Sequence, residues 1–242
     1  MIKKIFLIFS LILTGTSVSS QFIPPINIVT TSAVTGDAVA TFIEGQIYTT
    51  SSTTPSITGN IGTASSDRYV VVLVQTACTS SCTLNSTLTI GATTANRLVT
   101  AQYDGNQRET AIYISDTPIV SGTSATITAT VSNNSANTGF QIYTITSLSS
   151  TTPIATATDI SSPWSQSISV NSGGVIIAGF RINAITTNTW GGTGITENYD
   201  ASGAASNTYS SASGNYVSSS SPTVSVTPGS GSSGGLAIVS MR

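Results

Sequence analysis

Residues 125–131 read ATITATV, in which an apolar residue alternates with threonine at every step. A period of two places the apolar side chains on one face of a β-strand and the hydroxyl groups on the other. Threonine suits the exposed face because its branched Cβ packs well on a pleated surface. The stretch therefore predicts a strand with one buried face and one face in solvent.

The same period recurs along most of the chain, and no stretch combines a helical period with capping residues. Two runs, 69–74 and 175–180, are apolar on both faces, which is typical of central strands covered on either side. Further strands are predicted at 38–48, 87–90, 98–103, 111–115, 140–146, 167–170, 223–227 and 236–242. We therefore expect an all-β fold, an antiparallel two-sheet sandwich that resembles a jelly roll.

Turn residues separate these strands. The Asp104-Gly105 step lies between two apolar runs and predicts a hairpin, because glycine accepts the positive φ that such turns require. Three segments rich in serine, threonine and glycine, 49–66, 201–222 and 228–235, are predicted as surface loops of low local stability.

The N-terminus predicts export. Lys3 and Lys4 precede an apolar run at 5–13 and a stretch of small residues at 14–20. This is the layout of a secretory signal peptide, with an apolar core too short to span a bilayer as a helix. Cleavage is expected after position 20 or position 19. The expected organisation is a signal peptide at 1–20, an extended segment at 21–36 and a single sandwich domain at 37–242, located extracellularly or at a cell surface.

Charge and composition restrict the partners. Without residues 1–20 the chain has five arginines, no lysine and nine acidic residues, a formal net charge of −4. Such a chain has no basic patch for nucleic acid or for an anionic membrane surface, and no later apolar run predicts membrane insertion. Serine and threonine make up about a third of all residues and only 7% are charged. A surface of hydroxyl groups with little net repulsion is compatible with self-association.

The two cysteines, Cys78 and Cys82, are expected to form a disulfide, because an exported chain meets an oxidising environment. We place it at the tip of a hairpin. A metal site is the alternative, but it needs four ligands, or three and a water, and the chain has no histidine and no other cysteine. Neither a metal nor a cofactor is predicted.

Catalysis by a Ser-His or Cys-His pair is excluded, since no histidine is present to act as the base. Paired carboxylates, as in glycosidases, are the one chemistry that the composition permits. The candidates are scattered singly: Glu44, Asp67, Asp104, Glu109, Asp116, Asp159, Glu197 and Asp200. Glu197 and Asp200 form the only local pair. They could bind calcium, but the spacing lacks the alternation of a calcium loop, and a polar turn is the favoured interpretation.

A region from 189 to 217 sets aromatic residues among serine, glycine and asparagine. This composition resembles that of antibody contact loops, and aromatic rings can also stack on sugars. For Trp190, a core position under a loop is an equally good interpretation. The predicted ligand-binding residues are Trp190, Glu197, Tyr199, Asp200, Tyr209 and Tyr216.

Several strand patterns together resemble a known kind of domain. They are 68–72, 88–91, 112–114, 120–127, 173–178, 189–190 and 195–200. In this order they resemble a β-sandwich domain of tail-fibre and virion-associated proteins of environmental bacteriophages and of some bacterial surface proteins. The resemblance covers about residues 62–242 and implies a structural or adhesive module without catalysis. The leader departs from it, because virion proteins assemble in the cytoplasm.

Three functions follow as hypotheses. The first is an exported, non-catalytic module that binds a glycan or a protein surface through residues 189–217. The second is a structural subunit of an extracellular filament, coat or virion, in which the segment around 21–34 adds a strand to a neighbouring sheet. The third is a carboxylate-dependent glycosidase.

Overall fold

A computed structural model describes residues 36–203 and 206–242, which belong to one compact unit. The predicted signal peptide at 1–20 and residues 21–35 of the predicted extended segment lie outside the described residues. Within the described ranges, all regular structure is β-strand, and no helix that could cross a bilayer occurs.

Sixteen strands make up this part of the chain. They are β1 (Val39–Tyr48), β2 (Ser56–Asn60), β3 (Tyr69–Cys78), β4 (Thr87–Ile90), β5 (Thr93–Tyr103), β6 (Arg108–Ser115), β7 (Ser124–Thr128), β8 (Ser135–Thr146), β9 (Ala155–Asp159), β10 (Trp164–Ser167), β11 (Gly174–Ile182), β12 (Asn188–Gly191), β13 (Thr196–Gly203), β14 (Asn207–Tyr216), β15 (Thr223–Pro228) and β16 (Gly234–Met241). All the pairings between them are antiparallel, which confirms the predicted all-β antiparallel sandwich.

The strands form three sheets in the described ranges. The curled sheet has the order β1-β8-β3-β6-β5-β4-β7-β2, the middle sheet β13-β14-β11-β16-β9 and the outer sheet β10-β15-β12. The curled sheet bends until its two edge strands approach each other. Glu44 Oε1 accepts a hydrogen bond from the backbone N–H of Asn60 (2.7 Å), and Gln46 Nε2 donates to the carbonyl of Thr58 (3.2 Å). These side chains cover backbone groups that edge strands would otherwise leave open.

Three apolar cores follow from this stacking. In β3, Val70, Val72 and Val74 face the inside of the curled sheet, while Val71 and Leu73 face the middle sheet. In β11, alternate residues likewise contact the curled sheet or the outer sheet. Both strands are therefore buried on both faces, as their two-sided apolar pattern predicts. Residues 125–131 behave as the alternation predicts, with Ile127 and Val131 buried and Thr126 exposed.

The predicted loop at 201–222 is wrong for most of its length. Residues 207–216, NTYSSASGNY, form β14, which lies between β13 and β11 and is buried except at its end. Small side chains permit the close packing of neighbouring sheets here, and the hydroxyl groups find partners. Ser210 Oγ, for example, donates to the carbonyl of Tyr199 (3.0 Å).

Smaller corrections concern other segments. The predicted loop at 49–66 contains β2, and β16 begins inside the predicted loop at 228–235. The strand predicted at 167–170 lies earlier, at β10. Strands β9 and β12 carry no apolar run and were not predicted.

The hairpin at Asp104-Gly105 is confirmed, since φ is 54° at Asp104 and 62° at Gly105 and β5 pairs with β6 across this turn. The disulfide between Cys78 and Cys82 is also confirmed, but not at a hairpin tip. After Cys78 the chain crosses to β4, and the backbone N–H of Cys82 donates to the carbonyl of Asn106 (2.6 Å). The disulfide therefore lies against the turn of the β5–β6 hairpin.

Arg68 connects two loops at one end of the curled sheet. Its side chain is buried, with 1% of its surface exposed. The guanidinium donates to four backbone carbonyls: Ile119 (2.9 Å), Gly62 (2.6 Å), Ser121 (3.0 Å) and Gly122 (3.0 Å). Because carbonyls of both loops point at one cation, loss of the guanidinium would leave several acceptors without a donor.

We expect Arg68→Met to lower the free energy of unfolding by about 3–5 kcal/mol, because buried carbonyls lose a charged donor. Urea denaturation with the disulfide intact measures this. Arg242→Met is the matched control, since Arg242 donates to a single carbonyl, that of Gly36, and should cost under about 1 kcal/mol. Equal losses in the two variants would contradict the assigned role of Arg68.

Candidate functional site

The residues predicted to bind a ligand divide between two faces of the middle sheet. Tyr209 lies on the face toward the curled sheet and has no exposed surface. Its ring packs so closely on Gly139 and Gly203 that a Cβ at either glycine would come within 2.6 and 2.8 Å of it. The predicted contact role of Tyr209 is therefore wrong for a ligand at the protein surface, because the side chain is a core residue.

Trp190 and Tyr216 lie toward the outer sheet. Both are partly buried and pack against the core between the middle and outer sheets. Trp190 Nε1 donates to Ser210 Oγ (2.7 Å), and the hydroxyl of Tyr216 donates to the carbonyl of Thr193 (2.8 Å). For Trp190 this matches the core interpretation. Burial also raises the pKa of Tyr216.

Glu197 and Asp200 lie on a strand, so the predicted polar turn is wrong. Asp200 accepts two hydrogen bonds from Asn188, one from the backbone N–H (2.9 Å) and one from Nδ2 (2.7 Å). Desolvation, and then the charge of Asp200, raise the pKa of Glu197. In residues 36–203 and 206–242, no group of three or more His, Cys, Asp or Glu side chains is placed to hold a metal ion.

Tyr199 faces the curled sheet. Its ring centroid is 6.2 Å from that of Phe42, and the ring lies directly over Gly45, where no Cβ would fit. Phe42 is held on its other side by Tyr143 in an edge-to-face contact with a centroid distance of 5.2 Å. Tyr199 thus packs against Phe42, which lines the region described next.

A groove of about 660 Å³ lies where β1 of the curled sheet meets β13 and β14 of the middle sheet. We call it the β1–β13 groove. It is lined by Val39, Ala40, Thr41, Phe42, Gly194, Thr196, Asn198, Ser213, Gly214 and Asn215. None of these residues is charged. Its volume falls within the range of small-molecule sites, and its lining combines one aromatic ring with amide and hydroxyl groups.

Two β-bulges form the groove. The register of β1 against β8 shifts between Phe42 and Glu44, and that of β13 against β14 shifts between Glu197 and Tyr199. A bulge inserts one extra residue and re-aims its neighbours. As a result Asn198 and Tyr199, although consecutive, both face the curled sheet. The bulge in β1 leaves Phe42 at the groove and turns Ile43 toward the interior of the curled sheet.

Asn198 is the best-positioned polar group in the groove. Its Oδ1 lies 3.1 Å from the hydroxyl of Tyr143 and 2.8 Å from Ser213 Oγ and accepts from both. These two donors occupy the oxygen and fix the orientation of the amide. Its Nδ2 has no hydrogen-bond partner among the described residues, so both N–H groups are available to a molecule in the groove.

Asn215 covers the edge of β1 at the end of the groove. Its Oδ1 accepts from the backbone N–H of Ala40 (2.9 Å), and its Nδ2 donates to the carbonyl of the same residue (3.3 Å). The amide side chain therefore replaces a neighbouring strand at this position. An added strand would have to displace it, which limits edge pairing here.

Two other concavities in the described part of the chain are smaller. One, of about 340 Å³, shares Phe42 with the groove and is otherwise lined by Ile43, Asn60, Gly62, Thr63 and Thr123. The other, of about 140 Å³, lies at Trp164 and Pro228. No carboxylate lines any of the three, so the acids proposed for glycoside hydrolysis do not meet in them.

Sequence reasoning missed Phe42, Asn198, Ser213 and Asn215. The one available signal was in β1, where Phe42 and Ile43 are consecutive apolar residues and the alternation changes phase, as at a bulge. The position of the second bulge depends on pairing between β13 and β14, which composition does not reveal.

No protein-family model matches the chain, and no curated protein or solved structure matches it either. The resemblance to phage tail-fibre domains therefore stays a prediction.

The contact between Tyr199 and Gly45 can be tested by a double-mutant cycle. Gly45→Ala should lower the free energy of unfolding by about 1–3 kcal/mol, because the new methyl group displaces the ring. In a Tyr199→Ala background the same change should cost less than about 0.5 kcal/mol, since the ring is gone. Additive effects in urea denaturation would contradict this packing.

Proposed function

We propose that this chain is an exported, non-catalytic β-sandwich module that binds a neutral glycan in the β1–β13 groove. The observation that carries the proposal is an uncharged groove in which a fixed asparagine presents free N–H groups beside a partly exposed phenylalanine ring. The leader predicted at 1–20 supports export.

Saccharides match this lining. A sugar hydroxyl both donates and accepts, so amide and hydroxyl side chains suit it equally. The apolar face of a pyranose ring can pack on an aromatic ring, and Phe42 is held in place for this by Tyr143 and Tyr199. A protein ligand would more often meet a flatter surface with aromatic and arginine anchors.

The absence of charged side chains from the groove selects among glycans. A sulfated, phosphorylated or carboxylated sugar would have to give up hydration without gaining a cationic partner there. The five arginines of residues 21–242 all lie outside the groove lining. Neutral sugars are therefore the ligand class that fits.

The non-catalytic part of the proposal rests on the composition and the groove chemistry. The chain has no histidine, and no lysine after position 4. The two carboxylates of β13, Glu197 and Asp200, lie on the face of that strand opposite to the groove, where Asp200 is already bonded to Asn188.

A screen of residues 21–242 on an array of neutral and acidic glycans tests the proposal, with affinities then measured by calorimetry. Asn198→Asp should weaken binding at least about tenfold, because a carboxylate still accepts from Tyr143 and Ser213 but cannot donate. Thr196→Glu, at an exposed position of the lining, should weaken it similarly by adding bulk and charge.

Thr189→Glu is the matched control, since Thr189 is an exposed threonine of β12 outside the groove. The affinity of this variant for the glycan should equal that of the unmodified chain. Preferential binding of acidic glycans, or equal affinities for all three variants, would contradict the proposal. Release of a shortened sugar from the bound glycan would contradict its non-catalytic part.

A further inference from the structure

One end of the interface between the curled and middle sheets is polar, although it is as deeply buried as the apolar remainder. Gln75 and Gln141 come from the curled sheet, and Arg181 and Tyr209 from the middle sheet, all without exposed surface. Tyr103, from β5, is nearly as buried. We call these five residues the intersheet polar cluster. The groove lies elsewhere, and nothing proposed above uses this cluster.

Arg181 is the central residue of the cluster. Its Nη1 donates to the hydroxyl of Tyr103 (3.0 Å), which in turn donates to the carbonyl of Arg181 (2.9 Å). Its Cζ lies 5.5 Å from the centroid of the Tyr209 ring. One corner of the guanidinium and one of its faces are thereby fixed.

The remaining donors of Arg181 form a fork. Nε and Nη2 are buried, and neither donates a hydrogen bond of 3.5 Å or less to the described residues, although the hydroxyl of Tyr209 lies close enough to interact with the guanidinium. These two nitrogens point their N–H bonds in parallel along one edge, the geometry by which arginine binds an anion in bidentate fashion. The fixed contacts at Nη1 and at the ring hold this edge in place.

No carboxylate balances this charge. The described residues contain two ion pairs, Arg97 with Glu109 and Arg108 with Asp104, and Arg181 belongs to neither. An arginine stays protonated even when buried. Desolvation raises the pKa of Tyr103 and of Tyr209, so both phenols stay neutral and supply no negative charge. A buried cation without a counterion is strongly unfavourable.

Other polar groups without partners lie in the same cluster. Nε2 of Gln141 is buried and has no acceptor among the described residues. The hydroxyl of Tyr209 lies beside the Arg181 guanidinium and has no other partner there, and Oε1 of Gln75 and Oε1 of Gln141 are buried acceptors without a donor. Gln75 closes the cluster from the side of β3, because its Nε2 donates to the carbonyls of Phe180 and Ser210 (both 3.1 Å). The cluster thus holds both donors and acceptors without partners around a fixed positive charge that no ion pair of the described residues balances.

We propose that the Nε–Nη2 edge of Arg181 binds a small monovalent inorganic anion, a halide such as chloride, with the hydroxyl of Tyr209 as a further donor. The tight packing restricts the size of the occupant. A Cβ at Gly235 would overlap the ring of Tyr103, and a Cβ at Gly139 would come within 2.6 Å of the ring of Tyr209. The anion completes the charge balance of the interface and stabilises the folded chain.

Thermal unfolding at constant ionic strength tests this, with sodium gluconate replaced stepwise by sodium chloride or bromide. The Tm of the unmodified chain should rise by about 3–8 °C between about 10 and 500 mM halide, because the anion binds only the folded state. Arg181→Met should abolish the rise, whereas Arg242→Met, at an arginine bonded to one carbonyl near the chain end, should retain it.

Crystals of the unmodified chain soaked in bromide provide a second measurement that does not depend on the folding of a variant. An anomalous peak at Nε and Nη2 of Arg181 is expected. A Tm that is equal in gluconate and halide, or ordered water alone at this edge in the bromide crystals, would overturn the proposal. Failure of glycan binding would leave both measurements unaffected.

Discussion

The middle sheet packs against the curled sheet through one face and against the outer sheet through the other, so that β11, β14 and β16 are almost entirely removed from solvent. Burial on two faces requires either side chains that are apolar throughout or polar ones with partners inside the protein. β11 and β16 take mainly the first course, with Ile176 and Val239 as examples and Arg181 and Ser240 as exceptions, and β14 takes the second. The stacking of three sheets depends on this division.

β14 explains why sequence predicts the fold better than its details. The all-β class, the two-sided burial of β3 and β11 and the disulfide follow from local patterns. The strand at 207–216 does not, because serine, alanine and glycine carry no apolar period. Its hydroxyl groups are satisfied by residues distant in sequence, such as Tyr143 with Ser211 (2.8 Å). Such partners are known only once the sheets are stacked.

The candidate site was predictable only in part for a related reason. Residues 189–217 do contribute Thr196, Asn198 and Ser213 to the groove. The prediction from composition, however, named the aromatic residues of this region as the ligand contacts. Whether an aromatic side chain is exposed depends on what covers it, and Trp190 is covered by strands of the outer and middle sheets. Tyr199 faces the groove side only because a bulge precedes it. Neither fact has a local signature.

The scarcity of charge connects the exterior with the interior. Each arginine of residues 21–242 is engaged within the chain: Arg68 and Arg242 with backbone carbonyls, Arg97 and Arg108 with carboxylates, and Arg181 with tyrosines. The surface that remains is composed largely of hydroxyl and amide groups, which respond little to ionic strength. A ligand of this surface has to be recognised by hydrogen bonds and apolar contact, because no free arginine is available to attract an acidic ligand.

The same distribution of charge makes Arg181 distinct. Its side chain is fully enclosed, and its hydrogen bonds are all with uncharged groups. Part of its donor set forms no hydrogen bond with the described residues, and no other arginine combines these three properties. Specific sensitivity to an anion is therefore expected inside the protein and not on its surface.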